Sequence, residues 1–93
     1  MSENPEITVS KNLDQSRYEL RNGEKVISYA TFNQTGTTVS IPLVFTPPEF
    51  RGNGYAAQLM AGIVTLTEEA NEKIKPICSY ASAYLERTRR TES

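Results

Sequence analysis

Histidine is absent from all 93 residues, which removes the commonest general base and the commonest metal ligand of proteins. The single cysteine can close no internal disulfide and cannot build a thiolate-rich zinc site. No metal centre is expected. Neither sign of charge predominates: ten lysines and arginines stand against eleven aspartates and glutamates. The chain therefore lacks the electrostatic footprint that nucleic acid or an anionic membrane surface requires. Long hydrophobic runs are also missing. The longest stretch in which apolar residues dominate, Tyr55 to Leu66, is too short and too interrupted to span a bilayer. The first residues, Met1-Ser2-Glu3-Asn4-Pro5, have neither the basic nor the apolar region of a signal peptide. These absences lead to the expectation of a cytoplasmic protein with no nucleic-acid and no membrane partner, present as a monomer or weak dimer. The length makes residues 1–93 a single domain, large enough for a core yet small enough for a bound ligand to matter to its stability.

What is present reads as alternating strands followed by helices. Residues 1–12 are polar, and within them Ile7-Thr8-Val9 reads as either a strand or a loose, frayed arm. From Arg17 the alternation puts Tyr18 and Leu20 on one face with charges on the other, and Asn22-Gly23 is a hairpin turn signal. Lys25 to Asn33 carries Val26, Ile27, Tyr29 and Phe32, the mixture of a strand covered in part on both faces. Asn33-Gln34-Thr35-Gly36 is expected to turn the chain again. Thr38 to Thr46 alternates Val39, Ile41, Leu43 and Phe45, but Pro42 cannot donate to a ladder and marks an edge, a bulge or a splayed end. Pro47-Pro48 stops that strand. Beyond two glycines, Leu59, Ile63, Leu66 and Ala70 recur at helical spacing, with Met60 and Val64 widening the stripe. Gly62 inside this helix is either a tolerated glycine or a sign of close approach to the sheet. Lys73 to Cys78 reads as a short strand. Ser79 is placed to cap a last helix in which Tyr80, Ala81, Tyr84 and Leu85 share a face. The tail from residue 88 to 93 has no core residues and is expected to be frayed. The order β-β-β-loop-α-β-α predicts an α+β fold: a mixed, mostly antiparallel sheet with one right-handed β-α-β crossover that makes its flanking strands parallel neighbours.

The stretch from Thr46 to Ala57 joins strand to helix and has the chemistry of a phosphate cradle. Gly52 and Gly54 let the backbone approach a ligand, the free N–H groups of the following helix face an anion, and Arg51 adds a fixed charge. A P-loop is excluded because no Gly-Lys-Ser/Thr follows. The dinucleotide fingerprint is matched by Gly52, Gly54 and Ala57. However, its next strand should end in an acidic residue, and here it ends in Cys78.

Arg51-Gly52-Asn53-Gly54-Tyr55-Ala56 fits R-x-x-G-x-A and resembles the coenzyme A pyrophosphate loop of the GNAT superfamily of N-acetyltransferases. Pro47 to Gly54 read together with Pro76 to Arg87 resembles the small, one-domain GNAT branch with a cysteine after its last strand. The resemblance covers residues 13–87. It implies a compact acyl-CoA fold and an enzyme that moves an acetyl group from acetyl-CoA, its cosubstrate, to an amine of a small molecule or a protein. It marks Phe45, Thr46, Arg51, Gly52, Asn53, Gly54, Tyr55 and Ala56 as cofactor-binding. It also marks Cys78 and Tyr84 as catalytic candidates, a tyrosine on the last helix serving in many relatives to protonate the departing thiolate. Beside these stand the plainer readings of Arg51 as a solvated loop residue, Cys78 as an inert thiol, and Tyr80 and Tyr84 as core. Two departures are visible. The His-Thr pair usual before the loop is replaced by Leu43 and Val44, and the usual His-Pro after Glu86-Arg87 becomes Thr88-Arg89-Arg90. The lost histidine keeps open an alternative, a non-catalytic acyl-CoA-binding or protein-interaction module of the same fold.

Overall fold

The computed structural model describes residues 7–92. The expectations for residues 1–6 and 93 lie outside the described residues. Five strands, β1 (Ile7–Asn12), β2 (Arg17–Asn22), β3 (Lys25–Thr35), β4 (Thr38–Phe45) and β5 (Lys73–Pro76), form one sheet in sequence order. The first three ladders are antiparallel and β4 pairs with β5 in parallel. Helix α1 (Tyr55–Glu69) makes the crossover between β4 and β5, and α2 (Ser79–Glu92) follows β5. This is the mixed α+β sheet that the order of elements predicts.

Several boundaries differ from the sequence expectation. Residues 7–12 are a full edge strand, with Val9 opposite Leu20. The β3/β4 ladder continues to Thr35 opposite Thr38, so the turn is only Gly36-Thr37 and not the four residues from Asn33; Gly36 supplies the positive φ of 60° that so tight a turn needs. Helix α2 continues past residue 88, where fraying is expected from composition; within it the Thr88 hydroxyl donates back to the Tyr84 and Leu85 carbonyls. Ala70, on the apolar stripe by spacing, falls on the C-cap of α1 and is exposed.

The core explains the layering. Tyr18, Leu20, Ile27, Ala30, Phe32, Val39 and Ile41 from the sheet pack with Leu59, Met60 and Ile63 of α1 and Ala81 of α2, all buried. Both helices thus cover one face of the sheet, and burial of each large aliphatic side chain contributes about 1.5–3 kcal/mol. Gly62 faces β1 so closely that a Cβ built there would lie 2.6 Å from Val9 Cβ. Between the two readings of this glycine, the structure selects close approach to the sheet. Within the core the Tyr18 hydroxyl has no hydrogen-bond partner among the described residues; burial, aided by the nearby Glu72 charge, pushes its pKa up to about 12.

On the opposite face of β2, Glu19 is only 1 % exposed although its strand position alternates with the core. Arg17 Nε donates to it at 2.7 Å, Arg21 Nη2 at 2.7 Å and Asn12 Nδ2 at 3.0 Å. Burial acts to raise the Glu19 carboxyl, but these donors outweigh it and hold the group below its usual range.

Candidate functional site

The site starts from a missing N–H. β4 and β5 pair from Thr38 opposite Lys73 to Ile41 opposite Pro76, and no further. The Ile77 and Cys78 N–H groups both converge on the Ile41 carbonyl, at 3.1 and 2.9 Å. Pro42 comes next, with no N–H to offer, and at that point β4 bulges against β3, where the register shifts between Thr31 and Asn33. Beyond the bulge, Leu43, Val44 and Phe45 pair only with β3. The two parallel strands therefore part at their C-terminal ends. Of the three readings that Pro42 allows, the bulge and the splayed end are both realised.

The chain leaving β4 is held firmly. The hydroxyl of buried Ser28 donates to the Phe45 carbonyl at 3.0 Å and lies 2.9 Å from Thr46 Oγ1. Arg51 reaches back so that its Nε donates to the Thr46 carbonyl at 2.9 Å, with its guanidinium 5.8 Å from the Phe45 ring centroid. Between these anchors, Pro48–Phe50 forms a single 3-10 turn, and Asn53 Nδ2 closes it by donating to the Phe50 carbonyl at 3.0 Å. Gly52 and Gly54 have φ of 87° and 76°, a region that L side chains rarely adopt. Gly54 is the N-cap of α1 and has no side chain to cover the first N–H groups of the helix, and the first turn holds no acidic residue. Free donors at the positive end of a fifteen-residue helix favour an anion.

A cavity of roughly 160 Å³ lies against this loop, lined by Thr46, Phe50, Arg51, Gly52, Gly54, Tyr55, Ala56, Ala57 and Tyr80. Of the residues marked for the cofactor, Thr46, Arg51, Gly52, Gly54, Tyr55 and Ala56 meet here, while Phe45 and Asn53 do not line the cavity. Phe45 lies with its ring 5.4 Å from Tyr29, and the Asn53 side chain is engaged in closing the turn. Phe50 and Ala57, inside the stretch read as a cradle but not marked for the cofactor, also line it, and Tyr80 is an addition from outside that stretch. The signal for Tyr80 was topological. Because β4 and β5 are parallel, the helices that follow them both start at the same end of the sheet, where ligands of open sheets bind. A larger, open concavity of about 470 Å³ lies beside the β1/β2 turn, but the buried carboxylate lining it, Glu19, is already saturated by Arg17, Arg21 and Asn12.

Cys78 sits at the same end of the sheet, half-buried and with a free thiol. Its carbonyl accepts the Ser82 N–H at 2.9 Å, so Cys78 and not Ser79 holds the N-cap position of α2. The reason is the convergence of the Ile77 and Cys78 N–H groups on Ile41, which fixes the chain one residue earlier than the capping side chain would. Tyr84 lies one turn beyond Tyr80, half-buried against the core with the Arg87 guanidinium 5.8 Å from its ring centroid, and does not line the cavity. Glu49 is exposed on the 3-10 turn.

A mixed sheet opened between two parallel strands, with a glycine turn and two helix N-termini at the opening, is the architecture of GNAT-like α+β domains. The family model described as GCN5-related N-acetyl-transferase matches residues 17–93, and the chain belongs to that family. No curated protein matches the chain. Among the described residues, no helix is long and apolar enough to cross a membrane, and no group of three or more Cys, Asp or Glu side chains is arranged to hold a metal ion.

Proposed function

We propose that the protein transfers an acetyl group from acetyl-CoA to an amine. The observation that carries this reading is the open space in front of the glycine loop: a Cβ added at Gly52 or Gly54 would meet no atom within 4 Å. The backbone can therefore be approached closely at the point where the donors of α1 are free. The N–H groups from Arg51 to Ala56 would hold the pyrophosphate, and the pantetheine arm would lie in the splay beside Leu43 to Phe45. When bound, acetyl-CoA supplies an activated acetyl thioester. The acceptor nitrogen gains the acetyl group and gives up a proton, and coenzyme A leaves as the thiol. Arg51 acts chiefly by tying the loop to the end of β4, since its Nε is taken by the Thr46 carbonyl.

Thermal unfolding tests the reading directly. At acetyl-CoA about a hundred times its dissociation constant, linkage contributes about 2.7 kcal/mol, and the midpoint should rise by on the order of 10 °C. A flat response at millimolar acetyl-CoA would remove the transferase and the acyl-CoA binder together.

A second reading, an acyl-CoA holder without turnover, is favoured by one observation: the residues lining the cavity include no carboxylate, and the chain has no imidazole. Cys78 decides between the two. We place it beside a directly attacking amine and not as a covalent carrier, because no imidazole is present to activate the thiol. Cys78→Ala should then keep acetyl-CoA binding and lower turnover of a good amine by about tenfold, equivalent to about 1.4 kcal/mol of barrier. Iodoacetamide should label Cys78 more slowly when coenzyme A is bound. A variant with unchanged turnover, from a parent whose thiol ignores iodoacetamide, would make Cys78 a packing residue.

A further inference from the structure

The helices leave the other face of the sheet open, and the side chains it carries at the splay bear on the acceptor. The ladder registers set Arg17 and Glu19 of β2, Tyr29 and Thr31 of β3, and Leu43 and Phe45 of β4 together on this face. Across it runs a file of rings and cations: Arg17 lies 4.6 Å from the Tyr29 centroid, Tyr29 lies 5.4 Å from Phe45, and Arg51 lies 5.8 Å from Phe45. Leu43 and Ile77, 44 % and 56 % exposed, flank the point where the strands separate. On β5, exposed Lys73 and Lys75 alternate with half-buried Ile74 and Pro76. The mouth of the splay is thus apolar and aromatic and bordered by cations, and the one carboxylate among the side chains named here, Glu19, is already taken by its three donors, Arg17, Arg21 and Asn12.

We infer that the acceptor is a primary amine on an aromatic or large aliphatic body that carries no second positive charge, seated over Leu43 and Ile77 beside the Tyr29 and Phe45 rings. This rests on the proposed acetyl transfer, which is what brings an amine to the mouth. The surface also answers a chemical need. An amine attacks only as the free base, and apolar neighbours together with nearby cations disfavour its ammonium form. In a chain without histidine, the surroundings of the amine promote the deprotonation that an imidazole would otherwise assist. A polyamine meets the opposite conditions, since its remaining charges lie against arginine and lysine without a partner.

The test titrates methyl-labelled protein, saturated with coenzyme A, with 2-phenylethylamine and with spermidine, reading the Leu43 and Ile77 methyl signals. 2-Phenylethylamine is expected to shift both and to bind at least about tenfold more tightly than spermidine, and Leu43→Glu to reduce that preference by about tenfold. Ile77→Glu, at an equally exposed position, provides an independent variant. Equal or tighter spermidine binding, silent methyls with both amines, or a preference unchanged in both variants overturns the inference. Acetyl-CoA consumption keeps the two readings apart. Binding of 2-phenylethylamine at these methyls without consumption removes the transferase and leaves the surface standing. Faster acetylation of spermidine than of 2-phenylethylamine keeps the transferase and removes the surface.

Discussion

Gly62→Ala is expected to lower the melting temperature even though alanine is the better helix former. Two effects compete. Intrinsic propensity favours alanine by about 1 kcal/mol in a helix interior. Against it, the new methyl would lie 2.6 Å from Val9 Cβ and 3.0 Å from Val9 Cγ1, and closer still to Cγ2. Valine is stiff about its first torsion, so relief must come from moving β1 or α1, and overpacking of this kind costs about 1–3 kcal/mol. The net effect of alanine is a loss on the order of 1 kcal/mol, or about 4–8 °C in a domain of this size. Gly62→Val adds further methyls at the same contact and should lose more than twice as much. Val9→Ala provides the check. Combined with Gly62→Ala, it should cost less than the sum of the two single changes, because the shorter side chain vacates the space the new methyl needs. A rise in melting temperature for Gly62→Ala alone would show that α1 can move off β1 freely.

That contact also shows where the sequence stopped being informative. Tyr18, Leu20, Val39, Ile41, Leu59 and Ile63 announce their strands and helix by period, and the parallel pairing of β4 and β5 follows from the single helix between them. Ile7 and Val9 could not be assigned, because two apolar residues in a polar segment fit an arm as well as a strand; what settles them is Gly62, more than fifty positions later, whose missing Cβ makes room for Val9. Glu19 was hidden for a different reason. Alternation assigns it to solvent, and only the flanking Arg17 and Arg21, on the same face at spacing two, together with Asn12 across the ladder, bury it. That pattern is present in the sequence but is indistinguishable from ordinary surface charge until the strands are paired.

At the site, the backbone features were legible and the side-chain geometry was not. Glycines 52 and 54 read as positions where the backbone lies open to a ligand, and the structure adds their positive φ; Pro42 read as an edge, a bulge or a splayed end, and pairing with β5 stops just before it. Arg51 did not show its destination. Composition offers it as a charge for a phosphate, whereas the structure commits its Nε to Thr46. Tyr80 and Tyr84 look alike by helical spacing. Only the height of α2 relative to the cavity separates them, and that height is set by Cys78 taking the N-cap in place of Ser79.

Gly54→Val is expected to leave the domain folded and to erase the acetyl-CoA stabilisation. The φ of 76° means that any side chain strains the backbone, by about 1–2 kcal/mol and more for a branched one, which most domains of this size survive. Because the Cβ meets no protein atom within 4 Å, the remaining effect falls on whatever occupies the space in front of the loop. If that is the pyrophosphate, the branched side chain holds it away from the N–H groups of α1 and the rise on the order of 10 °C at a hundredfold excess of ligand disappears. Backbone strain alone must be separated from loss of the cradle, and Gly36 allows this. Gly36 has φ of 60° and equally open space around its Cβ position, and it precedes the first residue of β4, whereas the glycine loop follows the last. An eight-residue strand puts them roughly 25 Å apart. Gly36→Val should therefore lower the melting temperature to a similar degree yet keep the full acetyl-CoA shift. If both variants keep the shift, the phosphates bind away from this loop; if both lose it, strain and not the cradle accounts for the loss.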